Sequence, residues 1–276
     1  MPAVNLAGTA ASGNEVNFSQ TDVVSKWYRY DVAGNSNQKV VTHTFMYNGK
    51  KLRNYTMLYD KSKKAALWSA CVMHAEAYPW NVTRGDSWNY DPALVFGSDY
   101  SWQPKLSSSY SGGYTRGHQI ASNDRRTTVY QMYQTDYYSN MTPQTSALNS
   151  SSDSKWDDLE TAIQNLGKAT TGRDTLYVVT GAIFDAGYKT DATDVNNVKC
   201  PVPTRYYKCV MKVKYNSSGE VSSASGAAFL INHETLEFEK VTIKAVQDIT
   251  GFDYFANIPE DKQKIAEENF TSFFTI

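Results

Sequence analysis

One histidine of this chain stands among residue types that suit the hydrolysis of a phosphate ester. His118 lies in the segment Tyr-Thr-Arg-Gly-His-Gln, residues 114–119. A neutral imidazole takes a proton from water near neutral pH, and an arginine guanidinium matches phosphate oxygens. We therefore expect His118 to be a general base and Arg116 to bind a phosphate. An isolated histidine is usually a surface or core residue, which is the interpretation for His43, His74 and His233.

The glycine between the arginine and the histidine is expected to shape the backbone. Glycine adopts tight turns at little steric cost. Gly117 is therefore predicted to turn the chain so that Arg116 and His118 project to the same side of a substrate. Two more arginines follow, Arg125 and Arg126, which add local positive charge and are expected to form a solvated surface pair.

Two oxygen-bearing residues downstream suit a divalent metal ion. Magnesium prefers oxygen ligands and keeps several waters, so the single amide oxygen of Asn149 is an acceptable protein ligand. Glu160 lies eleven residues further on, where a carboxylate could hydrogen-bond a metal-bound water. The alternatives are ordinary ones. An asparagine among serines is usually part of a turn, and a lone glutamate is usually exposed on a helix.

The elements that must hold these residues are strands and helices in mixed order. Val40–Tyr47, the turn Asn48-Gly49 and Leu52–Tyr59 predict a β-hairpin. Further strands are predicted over Ala66–Met73, Thr175–Phe184, Tyr206–Tyr215, Ala227–Ile231 and Val241–Val246. Because there is no regular βαβ alternation, we predict an α+β fold: a single domain with a largely antiparallel central sheet flanked by helices.

Apolar periodicity and capping residues predict three helices. The first covers Thr127–Tyr138. The second is capped by Ser152 or Asp153 and has an apolar stripe of Trp156, Leu159, Ile163 and Leu166. The third begins at Pro259 and continues over Lys262–Phe270.

The composition is that of a globular chain with a sizeable core. Of 276 residues, 41% are hydrophobic and 20% are charged. The 27 basic and 28 acidic residues leave a net charge of -1, so any site for a polyanion must be a local patch. Residues 26–276 are expected to form one domain after a polar N-terminal arm over residues 1–25, with a surface loop at residues 97–113.

The compartment is only weakly indicated. Cys71, Cys200 and Cys209 leave open both a Cys200–Cys209 disulfide and three buried free thiols. Residues 1–11 lack the basic head and apolar stretch of a secretory signal, which is compatible with a cytosolic protein or with an exported one whose signal has been removed. The many tyrosines and few charges favour a secreted, periplasmic or cell-surface protein. No apolar run approaches the roughly 20 residues of a membrane-spanning helix.

The ordered motifs around these residues resemble those of a known family. After His118 come Ser-Asn-Met-Thr-Pro-Gln at 139–144, Leu-Asn at 148–149, Trp156 and Leu-Glu at 159–160. Upstream, Arg84 precedes Asp-Pro-Ala-Leu at 91–94. This series resembles the DNA/RNA non-specific endonucleases, which are built around a ββα-metal (His-Me finger) motif, and the resemblance extends over roughly residues 40–270.

The resemblance implies a magnesium-dependent endonuclease, with manganese as a substitute, that cuts DNA and RNA and leaves 5′-phosphate ends. It makes His118 the general base and Asn149 the direct metal ligand, with Glu160 acting through metal-bound water. Asn140 would orient the site and hold the base and metal-binding segments together. Arg116 and Arg84 would grip the phosphate. DNA and RNA are the expected partners, and a homodimer and a protein inhibitor are left open.

Three features depart from the family pattern. Thr115 replaces an acidic residue, which is expected to leave the chemistry untouched. Gln164 replaces an arginine found in some members, which is expected to weaken contacts to phosphate or leaving group. The stretch from Asn149 to Trp156 is slightly longer than in bacterial members, which affects the placing of Glu160.

An alternative hypothesis is a catalytically inactive nuclease-like domain that binds nucleic acid or protein. The neutral charge and Gln164 favour it. The retention of four residues with assigned roles argues against it: His118, Asn140, Asn149 and Glu160.

Overall fold

Long strands of mostly buried residues dominate the computed structural model, which describes residues 3–4, 27–76, 78–150, 154–171, 173–186, 191–273 and 276. Its strands are β1 Ala3–Val4, β2 Trp27–Val32, β3 Asn35–Tyr47, β4 Lys50–Asp60, β5 Ala65–Met73, β6 Thr115–His118, β7 Met141–Gln144, β8 Asp174–Ile183, β9 Asp191–Thr193, β10 Lys199–Pro201, β11 Arg205–Tyr215, β12 Val221–Asn232, β13 Phe238–Val241 and β14 Asp253–Tyr254. Its α-helices are α1 Val129–Tyr133, α2 Ser146–Asn149, α3 Lys155–Ala169, α4 Ile243–Thr250 and α5 Glu260–Glu268.

Eight of these strands form one antiparallel sheet in the order β13-β12-β11-β8-β5-β4-β3-β2. The predicted hairpin is confirmed, because β3 and β4 pair across a turn in which Asn48 and Gly49 both have positive φ. A type of turn with two such residues matches the twist of the flanking strands. The predicted α+β fold with a largely antiparallel sheet is therefore confirmed.

The sheet buries side chains on both faces. Successive residues of a strand point to opposite faces, and Leu58 accordingly packs in a different cluster from Met57 and Tyr59. One face packs against α4 and α5, and the other packs against α2 and α3. We call them the α4–α5 face and the α3 face.

The catalytic motif predicted from sequence lies on the α3 face. Strands β6 and β7 form a separate two-stranded antiparallel sheet, with His118 opposite Met141. Helix α3 then buries Trp156, Leu159 and Ile163 against the large sheet. Two strands followed by a helix form the ββα unit that the sequence resemblance implied.

Several predicted elements are wrong in extent or type. The predicted strand Val241–Val246 is only the end of β13, after which Thr242 caps α4 and Gly251 ends it at positive φ. The predicted helix Thr127–Tyr138 is the short α1 followed by two 3₁₀ turns. Helix α3 is capped by Ser154, which accepts a hydrogen bond from the Asp157 amide, while Ser152 and Asp153 lie outside the described residues.

Three further predictions concern the surface and the ends. The loop at residues 97–113 is not wholly superficial, because it buries Trp102, Leu106 and Tyr110. The predicted arm lies outside the described residues except for Ala3–Val4, which pair in parallel with β14. The three cysteines are buried free thiols, which decides between the two alternatives left open by the sequence. Among the described helices, none is long and apolar enough to cross a membrane.

Candidate active site

A cavity of about 360 Å³ opens beside β6, between α2, α3 and the segment around residues 84–88. Five of the six site residues predicted from sequence line it: Arg84, Arg116, His118, Asn149 and Glu160. They come from four separate parts of the chain, and the ββα unit brings them together. The sixth, Asn140, is fully buried and lies outside the cavity lining.

His118 is oriented by a carboxylate that sequence reasoning missed. Its Nε2 lies 3.3 Å from Oδ1 of Asp136, which is fully buried at the end of a 3₁₀ turn. The second oxygen of Asp136 accepts a hydrogen bond of 2.8 Å from the Ser87 amide. Because Nε2 is engaged by the carboxylate, Nδ1 is the ring nitrogen left to take a proton.

Arg116 lies over an aromatic ring at the entrance of the cavity. Its guanidinium carbon is 3.6 Å from the centre of the Trp88 ring, and Nη1 donates a 3.0 Å hydrogen bond to the Ser107 carbonyl. The Trp88 ring also packs 5.4 Å from His118, centre to centre. Stacking of this kind holds a flexible arginine in place while keeping its charge.

The role predicted for Gly117 is wrong. Arg116 and His118 are two residues apart in β6, so alternation along the strand already places both side chains on one face. Gly117 points the other way, where an added Cβ would lie 2.1 Å from the side chain of Gln144. The glycine is required because β7 approaches closely there, and not because the chain turns.

Asn149 ends α2 with its amide group fixed. Its Nδ2 donates hydrogen bonds to Thr115 Oγ1 at 3.0 Å and to the Arg116 carbonyl at 3.5 Å. The amide oxygen Oδ1 is thereby left for another partner. Thr115 therefore contacts the predicted metal ligand directly, and the expectation that the threonine leaves the chemistry untouched stays a prediction.

A histidine outside the cavity anchors α2. Thr145 caps this helix by accepting from the Leu148 amide, and its own amide donates to His233 Nε2 at 3.0 Å. The other nitrogen of His233 donates to the Pro203 carbonyl at 2.8 Å. His233 is thus a satisfied core histidine, as predicted, and burial lowers its pKa. His43 is also a buried histidine, with Nε2 3.0 Å from Asp91 Oδ2, but its Nδ1 has no hydrogen-bond partner among the described residues.

Glu160 forms an ion pair at the floor of the cavity. Its Oε1 lies 3.3 Å from Nζ of Lys208, which is 1% exposed and also donates to Thr180 Oγ1 at 3.0 Å. Burial raises the pKa of Glu160 to about 7, against the opposing effect of Lys208, and Asp124 raises it further. The carboxylate is therefore a polar group held at the cavity and not the exposed helix residue of the alternative interpretation.

Gln164 follows Glu160 by one helical turn and also lines the cavity. It hydrogen-bonds Asp124, and this bond lowers the pKa of Asp124, although burial raises it more strongly. A buried arginine at this position would place a second cation near Lys208. The glutamine instead joins the polar floor of the site without adding charge.

Asn140 positions the site from behind. Its Oδ1 accepts from the Ile120 amide at 3.0 Å, and its Nδ2 donates to the carbonyls of Ile120 and Thr135 at 2.9 and 2.7 Å. It therefore ties the strand of His118 to the turn of Asp136. It has no such bond to α2, so the predicted link to the metal-binding segment is not seen.

The arginines differ from one another. Arg84 lines the cavity with its side chain half exposed and lies 3.8 Å from Asp86. Arg125, predicted to be a solvated surface residue, is fully buried, because its guanidinium donates to the carbonyls of Asn54 and Val72 at 2.9 and 2.7 Å. Arg126 donates to the Val82 carbonyl at 2.6 Å. Of these four arginines, Arg84 and Arg116 line the cavity.

The oxygen donors suit a hard divalent metal ion. Asn149 contributes an amide oxygen with no partner in the described chain, and Glu160 contributes a carboxylate to the same cavity. The described residues contain no group of three or more His, Cys, Asp and Glu side chains arranged to hold a metal. A metal site with one amide ligand, in which water molecules complete the coordination, would contain no such group.

Sequence reasoning missed Asp136, Lys208 and Trp88. Asp136 was assigned to a helix, where nothing marked it as a partner for a histidine eighteen residues away. Lys208 lies in a strand of mostly buried residues, and a lysine inside such a strand is the one signal that could have been used. No feature of the sequence marks Trp88 as a site residue, because its role comes from stacking on Arg116.

A histidine–carboxylate pair, stacked arginine and hard oxygen donors in one cavity define a class of site, that of a phosphodiester hydrolase. The model of the DNA/RNA non-specific endonuclease family matches residues 18–261. This chain belongs to that family and is an endonuclease. The predicted family is confirmed, and the alternative of an inactive binding domain is set aside.

Relatives include mitochondrial and bacterial enzymes. The chain is 25% identical to endonuclease G, mitochondrial, of Caenorhabditis elegans, over 80% of this chain and 72% of that protein. It is 26% identical to a nuclease of Serratia marcescens, over 83% of this chain and 79% of that one. A chain in the crystal structure of the EndoG/EndoGI complex has the same fold, with a TM-score of 0.55 at 20% identity, covering 80% of this chain and 88% of that chain.

Proposed function

We propose that this endonuclease cuts DNA and RNA in a magnesium-dependent reaction in which His118 activates the attacking water. The observation that carries the proposal is the contact between His118 and buried Asp136, made in the cavity that Asn149 and Glu160 also line. A base with a fixed tautomer beside hard oxygen donors and arginines meets the requirements of phosphodiester hydrolysis.

Each site residue has a separate role in this reaction. Nδ1 of His118 takes the proton as water attacks phosphorus, and Asp136 stabilises the imidazolium that forms. The bond from phosphorus to the 3′ oxygen breaks, and the departing oxygen takes a proton from solvent, leaving a 5′-phosphate and a 3′-hydroxyl. Arg116 and Arg84 hold the phosphate oxygens. Bound at Asn149 Oδ1, with Glu160 hydrogen-bonded to its water, magnesium or manganese would supply positive charge that stabilises the departing oxygen.

A plasmid-nicking assay tests this function. His118→Ala should lose about 10²–10⁴ in rate, the usual contribution of a general base. His74→Ala is the matched control, because His74 packs on Tyr78 and lies outside the cavity. EDTA should stop the wild-type protein, and the wild-type product should carry 5′-phosphate ends. Wild-type nicking by His118→Ala, or cutting by the wild type in EDTA, would refute the mechanism.

Location and assembly are further proposals. The composition supports export to the periplasm, cell surface or medium, as argued from sequence. Fractionation of cells that express the natural gene would test it, and activity confined to the cytosol would oppose it. A homodimer and a protein inhibitor stay open; light scattering of the purified protein would decide the first.

A further inference from the structure

A row of tyrosines leads away from the Arg116 side of the cavity. The ring of buried Tyr138 meets that of Tyr90 edge to face at 5.2 Å, and Tyr90 meets Tyr100 at 4.7 Å. Tyr90 is half-buried, whereas Tyr100 is 46% exposed. The row thus runs from the interior to solvent.

This row begins at the site. Burial raises the pKa of Tyr138, and the positive charge of Arg116 lowers it. Arg116 in turn stacks on Trp88 within the cavity. Trp88 and Tyr90 also pack on the same small apolar cluster as Tyr138. Aromatic rings therefore connect the cavity to Tyr100 through the buried cluster that contains Tyr138.

Lysines stand at the outer end of the row. Lys64 donates a hydrogen bond from Nζ to the carbonyl of Ser101, the residue after Tyr100. Nζ of Lys61 lies 5.3 Å from the centre of the Trp102 ring. Hydrogen bonds from Ser101 lower the pKa of Asp99, and the charges of Lys61 and Lys64 lower it further, so Asp99 offsets part of this positive charge.

The positive charge extends along the neighbouring strands. The guanidinium of Arg29 lies 4.0 Å from the centre of the Phe96 ring, and Nζ of Lys39 lies 4.9 Å from that of Trp102. Lys39 is also paired with Asp31. Basic groups interleaved with aromatic rings are the arrangement that binds single-stranded nucleic acid: rings stack on bases, and cations meet phosphates.

We propose that Tyr90, Tyr100, Lys61 and Lys64 form a track that binds an unpaired strand of the substrate as it leaves the cavity. The proposal rests on the proposed function, since it extends the same site. An unpaired strand fits better than a duplex, because paired bases keep their faces stacked inside the helix and cannot reach a tyrosine ring. The track gives a nearly neutral molecule a local surface for a polyanion.

Fluorescence anisotropy with a labelled oligothymidylate in EDTA measures binding without cleavage. Tyr100→Ala should weaken this binding about fivefold or more, the effect of losing one stacked base. Tyr100→Phe keeps the ring and should bind like the wild type. The wild type should bind an abasic oligonucleotide of equal length more weakly than oligothymidylate. The Tyr100→Ala variant should bind this abasic probe as tightly as the wild type does. The track would be overturned if Tyr100→Ala bound both probes as tightly as the wild type does. It would also be overturned if Tyr100→Ala weakened the binding of a duplex as much as the binding of a single strand.

The salt dependence of the same binding tests the lysines. Lys61→Gln should flatten the slope of log affinity against log salt by about 0.7, the value for one phosphate contact on a single strand. Lys264→Gln on the α4–α5 face removes an exposed charge and should leave the slope unchanged. Equal slopes for Lys61→Gln and the wild type would contradict the track. If these variants behave as the wild type while plasmid cutting still requires His118, the track alone fails and the proposed function stands.

Discussion

At the scale of single residues, the orientation of His118 depends on a carboxylate that is closed off from solvent. Asp136 is fully buried and uses one oxygen for His118 and the other for the Ser87 amide. It therefore holds the ring in one tautomer and also fixes the segment that carries Trp88. Asn140 adds to this by tying Ile120 to Thr135, next to Asp136.

Replacing Asp136 tests this arrangement. We expect Asp136→Asn to lower kcat by about 10²–10⁴-fold, because an amide neither stabilises the imidazolium nor fixes the tautomer. KM should change little, and the pH profile of kcat should shift. Asp248→Asn, an exposed residue of α4, is the control. An unchanged kcat and pH profile, with circular dichroism showing a folded protein, would remove Asp136 from the site.

Asn149 is expected to govern the metal requirement. Its Oδ1 is the amide oxygen left without a partner once Nδ2 has bonded Thr115. Asn149→Ala should raise the magnesium concentration for half-maximal rate by about 10–100-fold, as is usual for weakened metal sites. Asn123→Ala alters another asparagine of the cavity lining and should leave this concentration unchanged. Identical metal titrations for Asn149→Ala and wild type would disprove the assignment.

The types of the site residues could be predicted from sequence, and their surroundings could not. His118, Arg116, Asn149 and Glu160 follow from ordered motifs, and they meet in one cavity. Asp136 and Lys208 were not predicted, because their roles come from contacts between segments far apart in the chain. Arg125 was misplaced for the same reason: the carbonyls that accept from it belong to strands β4 and β5.

At the scale of elements, the site depends on the close approach of β6 and β7. Gly117 faces Gln144 with no room for a methyl group. We expect Gly117→Ala to destabilise the protein by about 1–3 kcal/mol, the usual cost of overpacking. Gly219→Ala is not a suitable control, because Gly219 has a positive φ. Gly85→Ala is the control, because a Cβ at that position would meet nothing nearer than 3.6 Å. Urea unfolding measures the stability of both variants, and equal midpoints for the two would contradict the packing argument.

Elements were predicted best where local signals and tertiary packing agree. The β3–β4 hairpin has both its turn residues and its alternation in the sequence. Val241–Val246 is apolar enough to suggest a strand, but Ile243 and Val246 are three residues apart and bury the same face of α4. The capping threonine, Thr242, and the terminal Gly251 were the signals that favour a helix. Periodicity over so short a segment does not decide between them.

At the scale of the whole molecule, a net charge of -1 coexists with activity on polyanions. The cavity lining mixes the two signs, with Arg84 and Arg116 beside Asp86, Asp157 and Glu160. Other acidic groups lie on α4 and α5 and between them. One such acid is Glu267 of α5, which accepts from Gln247 and Gln263 at 2.9 and 3.0 Å. Burial raises the pKa of Glu267 to about 7, so its titration affects the stability of the entire fold.

The stability of the wild type should fall with pH because of Glu267. Its folded-state pKa exceeds its unfolded value, so the folded state holds the proton more tightly, and this stabilisation is lost as pH rises from about 4.5 to about 7. Near pH 4.5, Glu267→Gln should have the same free energy of unfolding as the wild type. Above about pH 7, its free energy of unfolding should be higher by about 1–3 kcal/mol. Parallel stability curves for the two proteins would show that Glu267 is not perturbed.

Chemical rescue tests the assignment of His118 most directly. The rate of cleavage of a labelled oligonucleotide in magnesium would be measured for His118→Ala with and without added imidazole. We expect the variant to be at least about 10²-fold slower than the wild type and imidazole to restore part of the rate, since it supplies the missing base. A variant as fast as the wild type, or one unaffected by imidazole at every concentration, would contradict His118 as the base.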